Sequence, residues 1–156
     1  MPDAPKAVTL RHTRRSLPIA LLRARETVMG PIRDMLATSG VNEQKWRVLR
    51  VLQERGPMDL TPLAVEACLL LPSLHRMIRP MQDEGLIDRA DSAEDRRKVV
   101  IAVTAKGEAL IQAHSGESAR FFARIEREFG HDRLETLLDL LEELQKLDLR
   151  SDRSTG

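Results

Sequence analysis

Four glycines cut this chain into segments, and the segments between them do not read alike. Gly40, Gly56, Gly85 and Gly130 each follow a stretch whose apolar residues recur at helical spacing. Glycine is the natural stop there, because it takes the left-handed backbone that ends a helix without a Cβ penalty. Between Gly85 and Gly130 the pattern breaks once. Val99-Val100-Ile101-Ala102-Val103 is dense in β-branched residues and reads as a strand. The chain is therefore expected to be mainly α with one small β-hairpin.

The helical stretches carry their own start signals. Leu17, Leu21, Ala24, Val28, Ile32 and Leu36 share one face of a first helix, opened by Ser16 and Pro18. Pro31 falls inside it and is expected to bend it. Asn42 caps a second helix with Trp46, Leu49 and Leu52 inward, ending at Gly56-Pro57. Asp59 opens a short third helix running to about Leu70. Pro72-Ser73 opens a fourth, whose face is Leu74, Met77, Ile78 and Met81. Thr104 caps a long fifth helix to about Phe129. A leucine stripe from Leu134 to Leu147 marks the last. A frayed tail is expected over 151–156 and a loose segment over 1–15.

The strand raises a question of its own. Arg96, Arg97 and Lys98 run directly into it, preceded by the turn-rich Asp91-Ser92-Ala93-Glu94-Asp95. A solvated turn needs no such strand, and a buried strand needs no such cations. A hairpin that anchors itself by valines and presents cations at its tip suits a polyanion. Short helix, turn, helix and hairpin over 42–103 make a winged helix-turn-helix. A helix fits the DNA major groove, and a hairpin beside it can lie on the flanking minor groove.

Composition narrows the alternatives. One domain of 156 residues can bury a core without staples. Aromatics are 3%, too few for a platform that stacks single-stranded bases. The net charge of +1 names no partner, but residues 1–25 hold six cations against Asp3 alone. Cys68 is the only cysteine, so no internal disulfide forms, which fits a reducing cytoplasm. Within Ala67-Cys68-Leu69-Leu70-Leu71 it reads as a small buried hydrophobe. No apolar run approaches a membrane span, and "LPIALL" is too short for a signal core. His12, His75, His114 and His131 show no metal spacing, and no phosphate-binding glycine loop occurs. An enzyme, a cofactor or a metal site is not expected.

Two segments carry a family likeness. "DRRKVVIAVTAKGEAL" and "PSLHRMIRPMQDEGLIDR" resemble the wing and recognition helix of MarR family transcription regulators. "SLPIALLRARE", "NEQKWRVLRVL" and "MDLTPLAVEACLLLPSL" are similar to its branch of homoprotocatechuate degradative operon repressors. The likeness covers about residues 16–148. It implies a homodimer on a pseudo-palindromic operator, with 16–40 and 104–148 as dimerisation helices of a single domain over 16–150. Two-fold symmetry spaces the recognition helices about one DNA turn apart, roughly 34 Å.

The resemblance also assigns roles. Pro72 and Ser73 approach the DNA backbone, where the helix N-terminus adds partial positive charge. Arg76 reads guanine, His75 stands where many relatives carry threonine, and Arg79 meets phosphate. In the wing, Asp95 braces the Arg97 guanidinium in the minor groove, while Arg96 and Lys98 take phosphates. Pro80 departs from the pattern. Ser16, Arg23, Trp46 and Arg47 match the branch's effector region, where an arginine suits a carboxylate and an indole suits a ring. The effector is then a small aromatic acid or its thioester. Hydroxyphenylacetates, cinnamate-like acids and coenzyme A thioesters all remain open. A winged-helix module that only contacts protein is the alternative.

Overall fold

The computed structural model describes residues 9–92, 94–95 and 97–150. The frayed tail expected over 151–156, Arg96 and the first eight residues lie outside these. The chain divides into two compact units, up to His114 and from Ser115 on.

In the first unit, a 3-10 turn at Thr13–Arg15 precedes α1, Leu17–Ala37. The turn puts local order inside the segment expected to be loose. Ser16 stands at the N-cap of α1, but its side chain makes no capping bond there. Pro31 lies within α1 and does not end it. α2 is Glu43–Arg55, and Asn42 caps it as expected, its Oδ1 accepting from the Lys45 amide at 2.8 Å. α3 is Leu60–Glu66 and α4 is Leu71–Asp83. α3 is thus shorter than its sequence pattern suggests.

The reason lies at its end. The Leu69 amide reaches the Ala64 carbonyl at 2.9 Å, and the Cys68 amide reaches Val65 at 3.1 Å. This is a Schellman motif, and it needs a left-handed residue at Cys68, where φ is 54°. Cys68 is consequently exposed, not buried as its apolar neighbours suggest. α4 ends in the same way with the expected glycine. Gly85 has φ 76°, and the Leu86 amide returns to the Met81 carbonyl at 3.0 Å.

The β element is larger than a hairpin. β2 (Ile87–Asp91) and β3 (Val99–Val103) pair antiparallel, with Ile87 opposite Val103 and Asp91 opposite Val99. A third strand, β1 (Met58–Asp59), pairs on the other side of β3, Asp59 opposite Val100. Two residues carry no readable period of 2, so β1 has no signature in the sequence. It makes β3 the central strand and ties the wing to the start of α3.

One buried core joins the helices α2 to α4 to the sheet. Val48, Leu49, Leu52, Leu63, Leu74, Met81, Ile87 and Ile101 are buried from solvent. They come from α2, α3, α4, β2 and β3, at the helical and strand positions their spacing predicts. α5 covers Ala105–Phe129. Its first turn is pinned by Thr104, whose Oγ1 donates to the Gly85 carbonyl at 2.6 Å and accepts from the Gly107 amide at 3.0 Å.

The second unit contains the end of α5 and α6, His131–Gln145, with Gly130 at φ 101° between them. Leu137, Leu138 and Leu140 of α6 are exposed in the single chain. Among the described residues, no helix is long and apolar enough to cross a membrane.

Candidate nucleic-acid interface

α4 has two chemically distinct faces. Leu74, Ile78 and Met81 are buried, while Pro72, His75, Arg76, Arg79 and Pro80 are exposed. The helical period puts these sets on opposite sides. Pro72 occupies the first turn, where a missing amide costs nothing. Ser73 is half-buried, and its Oγ accepts from Arg76 Nη2 at a long 3.4 Å. The contact gathers hydroxyl and guanidinium at the helix start. Pro80 does not stop α4, which continues to Asp83. The amide that a helix would aim at the Arg76 carbonyl is simply absent there.

The wing turn is built around Asp95. Its Oδ1 accepts from the backbone amide of Arg97 at 3.0 Å, and its carbonyl accepts from the Lys98 amide at 3.0 Å. Asp95 thus fixes the Arg97 peptide. An aspartate two residues before an amide closes an Asx-turn by local geometry, without reaching along a long side chain. The Ser92 amide reaches the Lys98 carbonyl at 2.9 Å and closes the hairpin. Arg97 and Lys98 are exposed. Lys98 Nζ stands 3.9 Å from Asp59 Oδ2.

Of the four residues expected around an effector, Trp46 packs against His114 and Arg47 stands near Glu43. Trp46 is half-buried and packs edge-to-face with His114, ring centroids 5.7 Å apart and planes at 85°. His114 is only 5% exposed, and its Nε2 shares a 2.7 Å hydrogen bond with Ser39 Oγ. Arg47 is half-buried, and its Nε is a buried donor without a partner. Ser16 is half-buried and Arg23 is exposed on α1.

Two contributors were not anticipated. Glu43 gathers three guanidiniums: Arg25 at 2.8 Å, and Arg33 and Arg47 at 4.0 Å each. The Arg25 hydrogen bond, helped by the charges of all three, holds the Glu43 carboxyl below its usual range against a desolvation cost. The residues Arg33, Ala37, Val41, Asn42, Glu43 and Gln44 line an open groove of about 340 Å³ beside it. Arg47 is one helical turn from Glu43, a legible spacing, but Arg25 and Arg33 lie on another helix. The second contributor is His114. Its place three residues after buried Ile111 puts it on the inward face of α5.

The second unit brings Glu126, His131 and Glu135 within 4.8 Å of one another on exposed surface. His131 Nδ1 pairs with Glu126 Oε1 at 3.2 Å.

Two helices joined by a tight turn, a cationic second helix and a wing with cations at its tip define a winged-helix DNA-binding protein. The MarR family model matches residues 41–99. The homoprotocatechuate degradative operon repressor of Escherichia coli is 38% identical over 128 residues, covering 82% of this chain and 86% of the relative. The crystal structure of NadR in complex with 4-hydroxyphenylacetate superposes with a TM-score of 0.78 at 34% identity, over 90% of this chain and 99% of NadR. The repressor CouR, bound to a 23-mer DNA duplex, superposes with a TM-score of 0.76 at 26% identity, over 88% of this chain and 99% of CouR. The chain belongs to the MarR family, and it is a transcriptional regulator, not an enzyme.

Proposed function

We propose that the protein is a homodimeric repressor in the cytoplasm that binds a pseudo-palindromic operator and is released by a small aromatic acid or its thioester. The observation that carries this reading is the sidedness of α4. Its apolar face is buried, and His75, Arg76 and Arg79 are left outward beside a helix start. Arg76 reads guanine, Pro72 and Ser73 meet the backbone, and Arg79 meets phosphate. In the wing, Arg97 enters the minor groove from a turn set by Asp95, and Arg96 and Lys98 take phosphates.

Dimer formation is supported by apolar surface on separate helices: Leu17, Leu21 and Val28 on α1, and Leu137, Leu138 and Leu140 on α6 are exposed in the single chain. The effector reading places Ser16, Arg23, Trp46 and Arg47 around the acid. Its support is the half-buried indole, the partnerless Arg47 donor and the similarity to NadR, which is solved with 4-hydroxyphenylacetate. Ligand acts by favouring a dimer geometry whose recognition helices no longer match successive grooves.

Two substitutions separate the DNA roles. Arg76→Ala should cost about 1–3 kcal/mol on a specific duplex and relax preference at one base per half-site. Lys98→Gln should weaken specific and random duplexes alike and lower the salt slope by about 1. Equal effects of both variants on both duplexes contradict the assignment. If neither changes DNA binding, the winged helix serves protein contacts.

A further inference from the structure

The sequence places Asp59 as the N-cap of α3, and it does stand at that position. Its side chain, however, makes no capping hydrogen bond. The carboxylate is turned to Lys98 Nζ instead, at 3.9 Å, across the β1–β3 pairing that sets Asp59 beside Val100. Both side chains are well exposed, so the pair is weak and screened by salt.

We infer that Asp59 sets the strength of DNA binding: an acid built into the base of the wing that lowers affinity for phosphate at Lys98 and so weakens binding to DNA at large. The inference rests on the phosphate role of Lys98 proposed above. An ammonium meets a phosphate oxygen at about 2.8 Å, so a phosphate on Lys98 lies within roughly 7 Å of the Asp59 carboxylate. An exposed pair at 3.9 Å cannot withhold Lys98 from DNA. It leaves a carboxylate next to the phosphate once the lysine has engaged. Coulomb repulsion over that distance corresponds, even at the dielectric of water, to roughly a threefold loss of affinity per wing.

The consequence bears on affinity, not on discrimination. Phosphate contacts carry no sequence information, so a charge opposing one of them lowers random and specific binding by the same factor. The ratio of specific to random affinity is therefore unchanged, and what Asp59 shifts is the share of protein left free of DNA. Asp59 does this without touching a base.

The test uses the full chain and a labelled duplex of random sequence, at low and high salt, with wild type, D59N, K98Q and the double variant. Asparagine caps helices as well as aspartate, so the fold is preserved, and thermal unfolding verifies it. Should D59N unfold early, D59S supplies the same cap without the charge. The expected result is at least threefold tighter random binding by D59N at low salt, with the gain shrinking at high salt and shrinking again in the K98Q background. Unchanged or weaker binding by D59N overturns the inference, because Asp59 then positions Lys98 or does nothing. An equal gain with and without Lys98 also overturns it, as a general charge effect. If K98Q alone leaves random binding unchanged, the phosphate role of Lys98 fails first, and the inference fails with it.

Discussion

Ser39 Oγ and His114 Nε2 share a 2.7 Å hydrogen bond although 75 positions separate them in the chain. The imidazole is buried and lies edge-on to Trp46. One side chain thus joins the residues after α1, the middle of α5 and the indole of α2. His114→Ala removes a buried ring and should cost about 2–4 kcal/mol. His114→Phe keeps the ring contact and loses the hydrogen bond, for a cost of about 1 kcal/mol. Trp46 is the only tryptophan, so its near-ultraviolet circular dichroism reports the contact directly. Urea titrations should rank the variants in that order, and the Trp46 band should persist in His114→Phe alone.

Gly107 has no room for a side chain. A Cβ there would collide with the Leu86 carbonyl oxygen and stand 2.7 Å from a Val103 methyl. The first contact is with backbone and cannot swing away. Gly107→Ala should therefore destabilise by about 1–3 kcal/mol, the range of an overpacked core. It also pushes the start of α5 off the two strands that carry the wing. Calorimetry should show the lowered melting temperature, and a wild-type melting temperature would refute the close approach.

Glu43 links stability to pH. Its carboxyl is held below the ordinary value of 4.5, chiefly by the Arg25 hydrogen bond. A carboxylate whose folded pKa is depressed contributes stability that is present above the unfolded pKa and is lost as pH falls through the folded one. Glu43→Gln should cost about 0.5–1 kcal/mol at neutral pH, because the partners are surface arginines. The two proteins should converge below the folded pKa. Denaturant midpoints measured from pH 7 downward test this, and a gap that widens in acid would contradict it.

His131 shows the opposite sign. The hydrogen bond to Glu126 raises its pKa above 6.5, aided by the charges of Glu126, Glu135 and Asp132. Any stability from the pair is fully present below 6.5 and is lost as pH rises through the folded value. Glu126→Gln should return most of the shift, since its hydrogen bond and charge are the leading causes. A nuclear magnetic resonance titration of the imidazole protons reads this residue directly. An unmoved midpoint in the variant would assign the shift elsewhere.

Much of this fold is legible in the sequence because its signals are local. Asn42 caps where it should, Gly40, Gly56, Gly85 and Gly130 all have positive φ, and Val99–Val103 is a strand. The misses are non-local or too short. β1 is two residues long and exists only because β3 is beside it. Cys68 sits in an apolar run, yet a Schellman turn needs its backbone and turns its side chain outward. Nothing in the order of residues brings Arg25 and Arg33 to Glu43, because helix packing does that.

In the proposed function, this winged helix reads DNA and lets go when an aromatic acid binds. The most direct measurement is a fluorescence-anisotropy titration into duplex from upstream of the protein's own gene and into a scrambled duplex, each with and without 4-hydroxyphenylacetate and related acids. Binding to the specific duplex should be tighter by a factor of about 10³ or more at physiological salt. At least one acid should weaken that binding. Equal affinity for both duplexes, unmoved by every acid, would contradict the proposed function.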